Sequence, residues 1–79
     1  MPDSPSIAKL RESVRTYEEA IATFERTRAS MQKRRRGAAD SVMVQVDESL
    51  KLNERATDAL QRVLAAAKED LKRELARRE

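Results

Sequence analysis

The sequence contains no cysteine, no histidine and no tryptophan, and it has only one glycine among 79 residues. Without cysteine the fold has no disulfide, and without cysteine and histidine it lacks the commonest ligands of zinc. One glycine and two prolines argue against a fold rich in turns and strands. The abundant residues, such as alanine, arginine, glutamate and leucine, favour helix. We therefore expect an all-α protein with no cofactor.

Long apolar runs are also missing. No stretch approaches the roughly 18–20 apolar residues that cross a bilayer, so we expect no membrane span. The first residues lack the basic segment and apolar run of a secretory signal. We therefore expect an intracellular, cytoplasmic protein, and the excess of arginine over lysine suggests a bacterial or phage source.

What the sequence does have is apolar residues at alternating steps of three and four. Such spacing puts them on one face of a helix, typical of a coiled coil or helical bundle. We call these two rows the seams. The seam of the first half is Ile7, Leu10, Val14, Tyr17, Ile21, Phe24 and Met31, interrupted by Arg28. The seam of the second half, shifted in phase by one residue and flanked by Val42, Ala56 and Val63, is Met43, Val46, Leu50, Asn53, Thr57, Leu60, Leu64, Ala67 and Leu71.

Capping signals separate the two halves. Ser4 before Pro5 is a typical helix start, and Gly37 follows the first half where a left-handed residue often ends a helix. Asp40 and Ser41 are good N-caps for the second half. The signals predict a short tail at 1–4 and one helical domain over 5–79, with helix 1 at about 5–36, a turn at about 37–40 and helix 2 at about 41–77.

The favoured fold is an antiparallel two-helix hairpin, and the alternative is one continuous helix of about 70 residues, since a single glycine costs only about 1 kcal/mol. Folding the hairpin places Phe24 near Asn53, and Met31 near Val46. Two seams in a hairpin cover each other only partly. We therefore expect a homodimer that forms a four-helix bundle, or a different protein that supplies the missing helices.

Several residues could do more than fill the core. The basic run Lys33, Arg34, Arg35 and Arg36 lies at the hairpin tip, where it either contacts an anion such as nucleic-acid phosphate or only caps helix 1. Tyr17 is expected in the core, and Arg28 either reaches solvent or pairs with a partner carboxylate. The polar pair Asn53 and Thr57 either fixes the pairing of helices from a buried position or lies at a wet edge.

The segment 68–79 is the most charged part of the chain. We expect it to extend past the core as a solvated helix. The alternative is a docking surface that uses Leu71 and Leu75 as anchors.

Nothing in the sequence predicts catalysis, so we expect no enzyme and no small-molecule ligand. The leading hypothesis is a non-enzymatic protein–protein interaction module, such as an adaptor, co-chaperone or assembly factor, that self-associates or binds a helical partner through its seams. The alternative is a nucleic-acid accessory protein that uses the basic tip. In size and hairpin shape the chain resembles the small two-helix co-chaperones and adaptors of bacterial secretion systems, a resemblance that includes no diagnostic motif.

Overall fold

The chain folds as an antiparallel hairpin of two long helices. The computed structural model describes residues 4–77, in which α1 spans Pro5–Arg35 and α2 spans Asp40–Ala76. The particle measures 58 × 18 × 14 Å. A 37-residue helix such as α2 is about 55 Å long, whereas one helix of 70 residues would extend about 105 Å. The predicted hairpin is therefore confirmed, and the continuous helix is excluded.

Helix α1 begins with the cap that its sequence predicts. Ser4 has extended backbone angles (φ −65°, ψ 161°), and its Oγ accepts a hydrogen bond from the Ile7 N–H at 3.2 Å. Pro5 follows as the first helical residue, where a missing N–H removes no helical hydrogen bond. The serine thus satisfies one of the free N–H groups at this end of the helix.

The connection between the helices differs from the prediction at Gly37. Arg36 leaves α1 in a right-handed conformation (φ −61°, ψ −27°), and Gly37 does not have a positive φ. The turn is closed by the Ala38 N–H, which donates to the Arg35 carbonyl at 3.3 Å. The expectation of a left-handed glycine is wrong, because the chain reverses through residues 36–39 without a left-handed residue.

Helix α2 begins one residue earlier than expected, and its cap is different. Ala39 is the N-cap residue (φ −66°, ψ 158°), and it offers no side-chain acceptor. The prediction of Asp40 or Ser41 as N-cap is wrong, because both already lie inside the helix. Asp40 instead places a negative charge in the first turn, where it interacts favourably with the helix dipole.

The missing cap gives a first testable prediction. Ala39→Ser places a hydroxyl where the backbone is already extended, so it should stabilise the protein by about 1 kcal/mol. For a domain of this size the melting temperature should rise by about 4–8 °C in a circular dichroism melt. Ala38→Ser, one residue outside the cap position, is the matched control. An equal rise in both variants would contradict the capping explanation.

The two seams face each other along the hairpin. Ile7, Ile21 and Val46 are buried, and Ile7 is only 1% exposed. The other predicted core residues are half-buried, namely Leu10, Val14, Tyr17, Phe24, Met31, Met43, Leu50, Leu60, Leu64 and Leu71. This gradient has a simple cause, since a helix with one neighbour covers only the centre of its apolar stripe.

The C-terminal part of α2 remains packed on α1. Leu71 is half-buried, and Leu10 of α1 lines a shallow groove with residues of the last turns, including Asp70 and Arg77. The expectation of a solvated helix from Lys68 onward is therefore wrong at Leu71, which α1 begins early enough to cover, whereas it agrees with Leu75, which is 37% exposed. Residues 78 and 79 lie outside the described range.

Candidate interaction surface

One side of the hairpin is charged. The Arg35 Nε lies 2.7 Å from the Asp47 Oδ1, and this contact ties the end of α1 to the start of α2. The hydrogen bond to Asp47, followed by the attraction of its charge, raises the pKa of Arg35 above the usual value. At steps of seven residues, the α1 row on this side contains Arg11, Glu18 and Glu25, and the α2 row continues from Asp47 with Glu54 and Lys68. We call this surface the charged side.

The opposite side of the hairpin forms an apolar groove. Its widest part has a volume of about 360 Å³ and is lined by Phe24, Thr27, Met31, Ser49, Leu52, Asn53 and Ala56. Towards the tip it continues into a groove of about 170 Å³ lined by Met31, Arg34, Val42, Gln45, Val46 and Ser49. Both grooves lie between the helices, on the side away from the Arg35–Asp47 contact. We call this surface the open face.

Helical periodicity extends the open face towards the chain ends. Steps of seven residues keep the same helix face, so Ala20 and Ser13 continue the row of Thr27, and the residues that follow Leu52 and Ala56 on α2 are Ala59, Val63 and Ala66. Large apolar side chains remain exposed here, namely Leu52 (65%), Val63 (43%) and Val42 (40%). The rows of the open face on α2 carry no charge from Val42 to Ala66, about 36 Å of helix.

Asn53 joins the two helices from the floor of this groove. It is 5% exposed, and its Nδ2 donates to the Phe24 carbonyl at 3.0 Å. The Thr57 hydroxyl donates to the Asn53 carbonyl at 2.9 Å within α2 and is half-buried. Asn53 therefore occupies the buried position that was one of its two predicted alternatives, and the predicted pairing of Phe24 with Asn53 is confirmed. The Asn53 Oδ1 is buried without a hydrogen-bond partner.

The basic tip is exposed to solvent. Lys33, Arg34, Arg35 and Arg36 are all exposed, and within residues 4–77 only Arg35 of these four makes an ion pair. The charges of the other three side chains face solvent, where they could contact phosphate groups. No aromatic residue lies on the tip to stack on a base, so the geometry offers backbone contact alone. Arg28 is exposed as well, as expected for a side chain that reaches solvent from the seam.

Within residues 4–77 no three acidic side chains cluster closely enough to hold a metal ion. Within the same range neither helix is apolar enough over sufficient length to cross a bilayer. Tyr17 is half-buried in the seam, in keeping with a packing role. The surface that distinguishes this hairpin is therefore the open face, which can bury apolar area against another helix.

No protein-family model matches this sequence, and comparisons with curated proteins and with solved structures find no significant similarity. The class of protein is accordingly defined by its own geometry, as a two-helix all-α hairpin with one charged side and one uncovered apolar side.

Proposed function

We propose that the chain is a non-enzymatic protein–protein interaction module, an adaptor or assembly factor that completes a helical bundle with helices from outside the hairpin. The single observation behind this proposal is the open face, which is continuous and apolar while the opposite side is charged. The seams, which were predicted to bind a partner, already pack on each other within the hairpin, where Ile7, Ile21 and Val46 are buried. Binding is therefore assigned to the open face beside them.

The energetics favour a partner for this face. Exposed apolar patches of several hundred Å² on a small protein typically mark interaction sites. Covering Leu52, Val63 and Val42 with another helix would contribute about 25 cal/mol for each Å² of apolar surface removed from water. A 79-residue hairpin buries little area by itself, so this contribution also stabilises its fold.

The proposal can be tested by site-specific photo-cross-linking in cells. A benzophenone amino acid in place of Leu52 lies on the open face, whereas the same amino acid in place of Val44 is the matched control. Val44 is also apolar and 59% exposed, but it lies outside both grooves. We expect a covalent protein adduct from position 52 and little from position 44. Equal yields at the two positions, or no adduct at either, would contradict the proposed function.

A further inference from the structure

On each helix, the row of the open face that lies nearest the other helix contains one charge, and these two charges have opposite signs and lie at opposite ends. At seven-residue spacing, the α1 row is Ser6, Ser13, Ala20, Thr27 and Arg34, and the α2 row is Val42, Ser49, Ala56, Val63 and Asp70. Arg34 lies at the tip, where it lines the groove with Val42. Asp70 lies at the other end, where it lines a groove with Leu10. Arg73, Glu74 and Arg77 also line that groove, so the positive tip and the negative open end describe the two facing rows alone.

We propose that the occupant of the open face is a second copy of this chain, docked face to face and antiparallel about a twofold axis that passes near Ala20 and Ala56. This inference rests on the proposed function and names its partner. A twofold interface uses the same patch on both subunits, so the patch must complement itself. The open face meets this requirement in charge, in side-chain volume and in area.

Charge selects the antiparallel orientation. When the tip of one copy lies over the open end of the other, each end layer of the four-helix bundle contains Arg34 from one copy and Asp70 from the other. The parallel orientation instead places two Arg34 side chains in one end layer and two Asp70 side chains in the other. Like charges in a desolvated layer are costly, whereas opposite charges attract. Asp70 already lies 4.0 Å from Arg73 on the same helix, but its side chain is 58% exposed, so a second cation can still reach the carboxylate.

Side-chain volume suits the same arrangement. The axis brings Ala20 and Ala56 of both copies into the central layer, where four small side chains let the helices approach closely. One layer further out, Thr27 and Ser49 of one copy meet Ser13 and Val63 of the other. Leu52, which protrudes with 65% exposure, then faces the alanine-rich row of the second copy around Ala59. Large side chains therefore pack against small ones, as dense packing requires.

The buried acceptor at Asn53 also finds a donor in this register. Asn53 lines the groove, and its Oδ1 has no partner within the hairpin. In antiparallel docking, Tyr17 of the second copy lies in the same layer as Phe24 and Asn53 of the first copy. Within one copy, Tyr17 and Asn53 lie at similar distances from the twofold axis along the hairpin but in opposite directions, so the rotation brings Tyr17 to the level of Asn53. A phenol has the reach and the O–H group to donate to a buried amide oxygen.

The available area is close to what a specific dimer needs. The uncharged part of the open face is about 36 Å long, and the particle is 18 Å wide. The outline of the face is therefore about 650 Å² per copy, without the additional surface of protruding side chains. Each partner in a standard interface buries about 800 Å². This size corresponds to a reversible dimer that dissociates on dilution.

The decisive experiment measures assembly and orientation on the purified chain. Sedimentation equilibrium should detect a dimer. Arg34→Glu should weaken it about tenfold, and Arg34→Glu combined with Asp70→Arg should restore it. Arg36→Glu is the matched control, since Arg36 belongs to the same basic run but lies off the open face. Circular dichroism of each variant verifies that the helices are intact.

Orientation can be measured with a single spin label, because the chain has no cysteine of its own. A label on Ser41→Cys, at the tip, should lie about 45 Å from its mate in an antiparallel dimer, and about 20 Å away in a parallel one. Tyr17→Phe should weaken the dimer while it leaves the label distance unchanged. A short distance, or a failure of the charge exchange to restore assembly, would overturn the proposed orientation. A chain that sediments as a monomer at all concentrations would overturn the second copy as occupant, and an adduct with another protein from position 52 would still support the proposed function.

Discussion

Ile21→Asp is expected to unfold the hairpin. Ile21 lies near the middle of α1, it is 9% exposed, and it belongs to the small set of residues buried by the hairpin itself. Replacement of a buried isoleucine by a small residue typically costs about 2–5 kcal/mol, and an uncompensated buried charge adds several kcal/mol more. That sum approaches the whole stability of a typical small domain. The variant should therefore lose most of its helical circular dichroism signal at 25 °C and pH 7.

Thr16→Asp is the matched control for this experiment. Thr16 lies on the same helix, it is exposed, and its substitution introduces the same carboxylate with little change in helix propensity. This variant should remain helical, with a melting temperature within a few degrees of the parent. If Ile21→Asp is as stable as Thr16→Asp, the seam is not the core of the fold.

The hairpin could be predicted from the sequence because its main determinants are local. The periodic spacing of Ile7, Leu10 and Val14 defines a helix face without knowledge of the partner helix. The cap at Ser4 follows from two adjacent residues, and the structure confirms it. The register of Phe24 with Asn53 follows from the turn position and two seams of known phase.

The turn itself could not be predicted in detail, because several backbone paths connect two helices over a few residues. A glycine at position 37 favours a left-handed residue but does not require one, and the turn contains no residue with a positive φ. Asp40 and Ser41 are good caps by type, yet Ala39 occupies the cap position. These positions depend on where the helices pack, which the local sequence does not specify.

The open face was recognised only in part from the sequence, since Val42, Ala56 and Val63 were identified as flanking the seam whereas Leu52 and Ala59 were not. Leu52 and Ala59 are seven residues apart, and this spacing could have identified their row from the sequence. The sequence does not show on which side of the α2 seam the packed α1 leaves apolar side chains uncovered. That side is determined by the packed pair, in which the Arg35–Asp47 ion pair lies on the opposite flank.

The second prediction with a large effect concerns Asn53. In Asn53→Asp a carboxylate replaces the amide whose Nδ2 donates to the Phe24 carbonyl. A charged carboxylate cannot donate, and at 5% exposure it is desolvated beside a carbonyl oxygen, so its pKa in the folded state should rise above the ordinary value of about 3.9. A raised folded-state pKa means that full stability is present below about pH 4 and is lost as the pH rises through the folded-state pKa. Thermal melts should therefore show a variant that is unfolded or several kcal/mol weaker at pH 7, and that recovers towards the parent on acidification.

Asn53→Leu separates the effect of charge from the effect of the lost hydrogen bond. Leucine has a similar size, it removes the Oδ1 that has no partner within the hairpin, and it leaves no charge. At concentrations where the chain is monomeric, its stability should therefore match or exceed that of the parent by about 1 kcal/mol, with no dependence on pH beyond that of the parent. A buried polar residue can fix the pairing of helices at some cost in stability. The leucine variant should therefore melt higher yet allow the helices to shift, which a broadened distance distribution between spin labels on α1 and α2 would detect. If Asn53→Asp loses the same stability at pH 4 as at pH 7, burial of the carboxylate charge is not the cause of the loss, and this explanation of the variant is wrong.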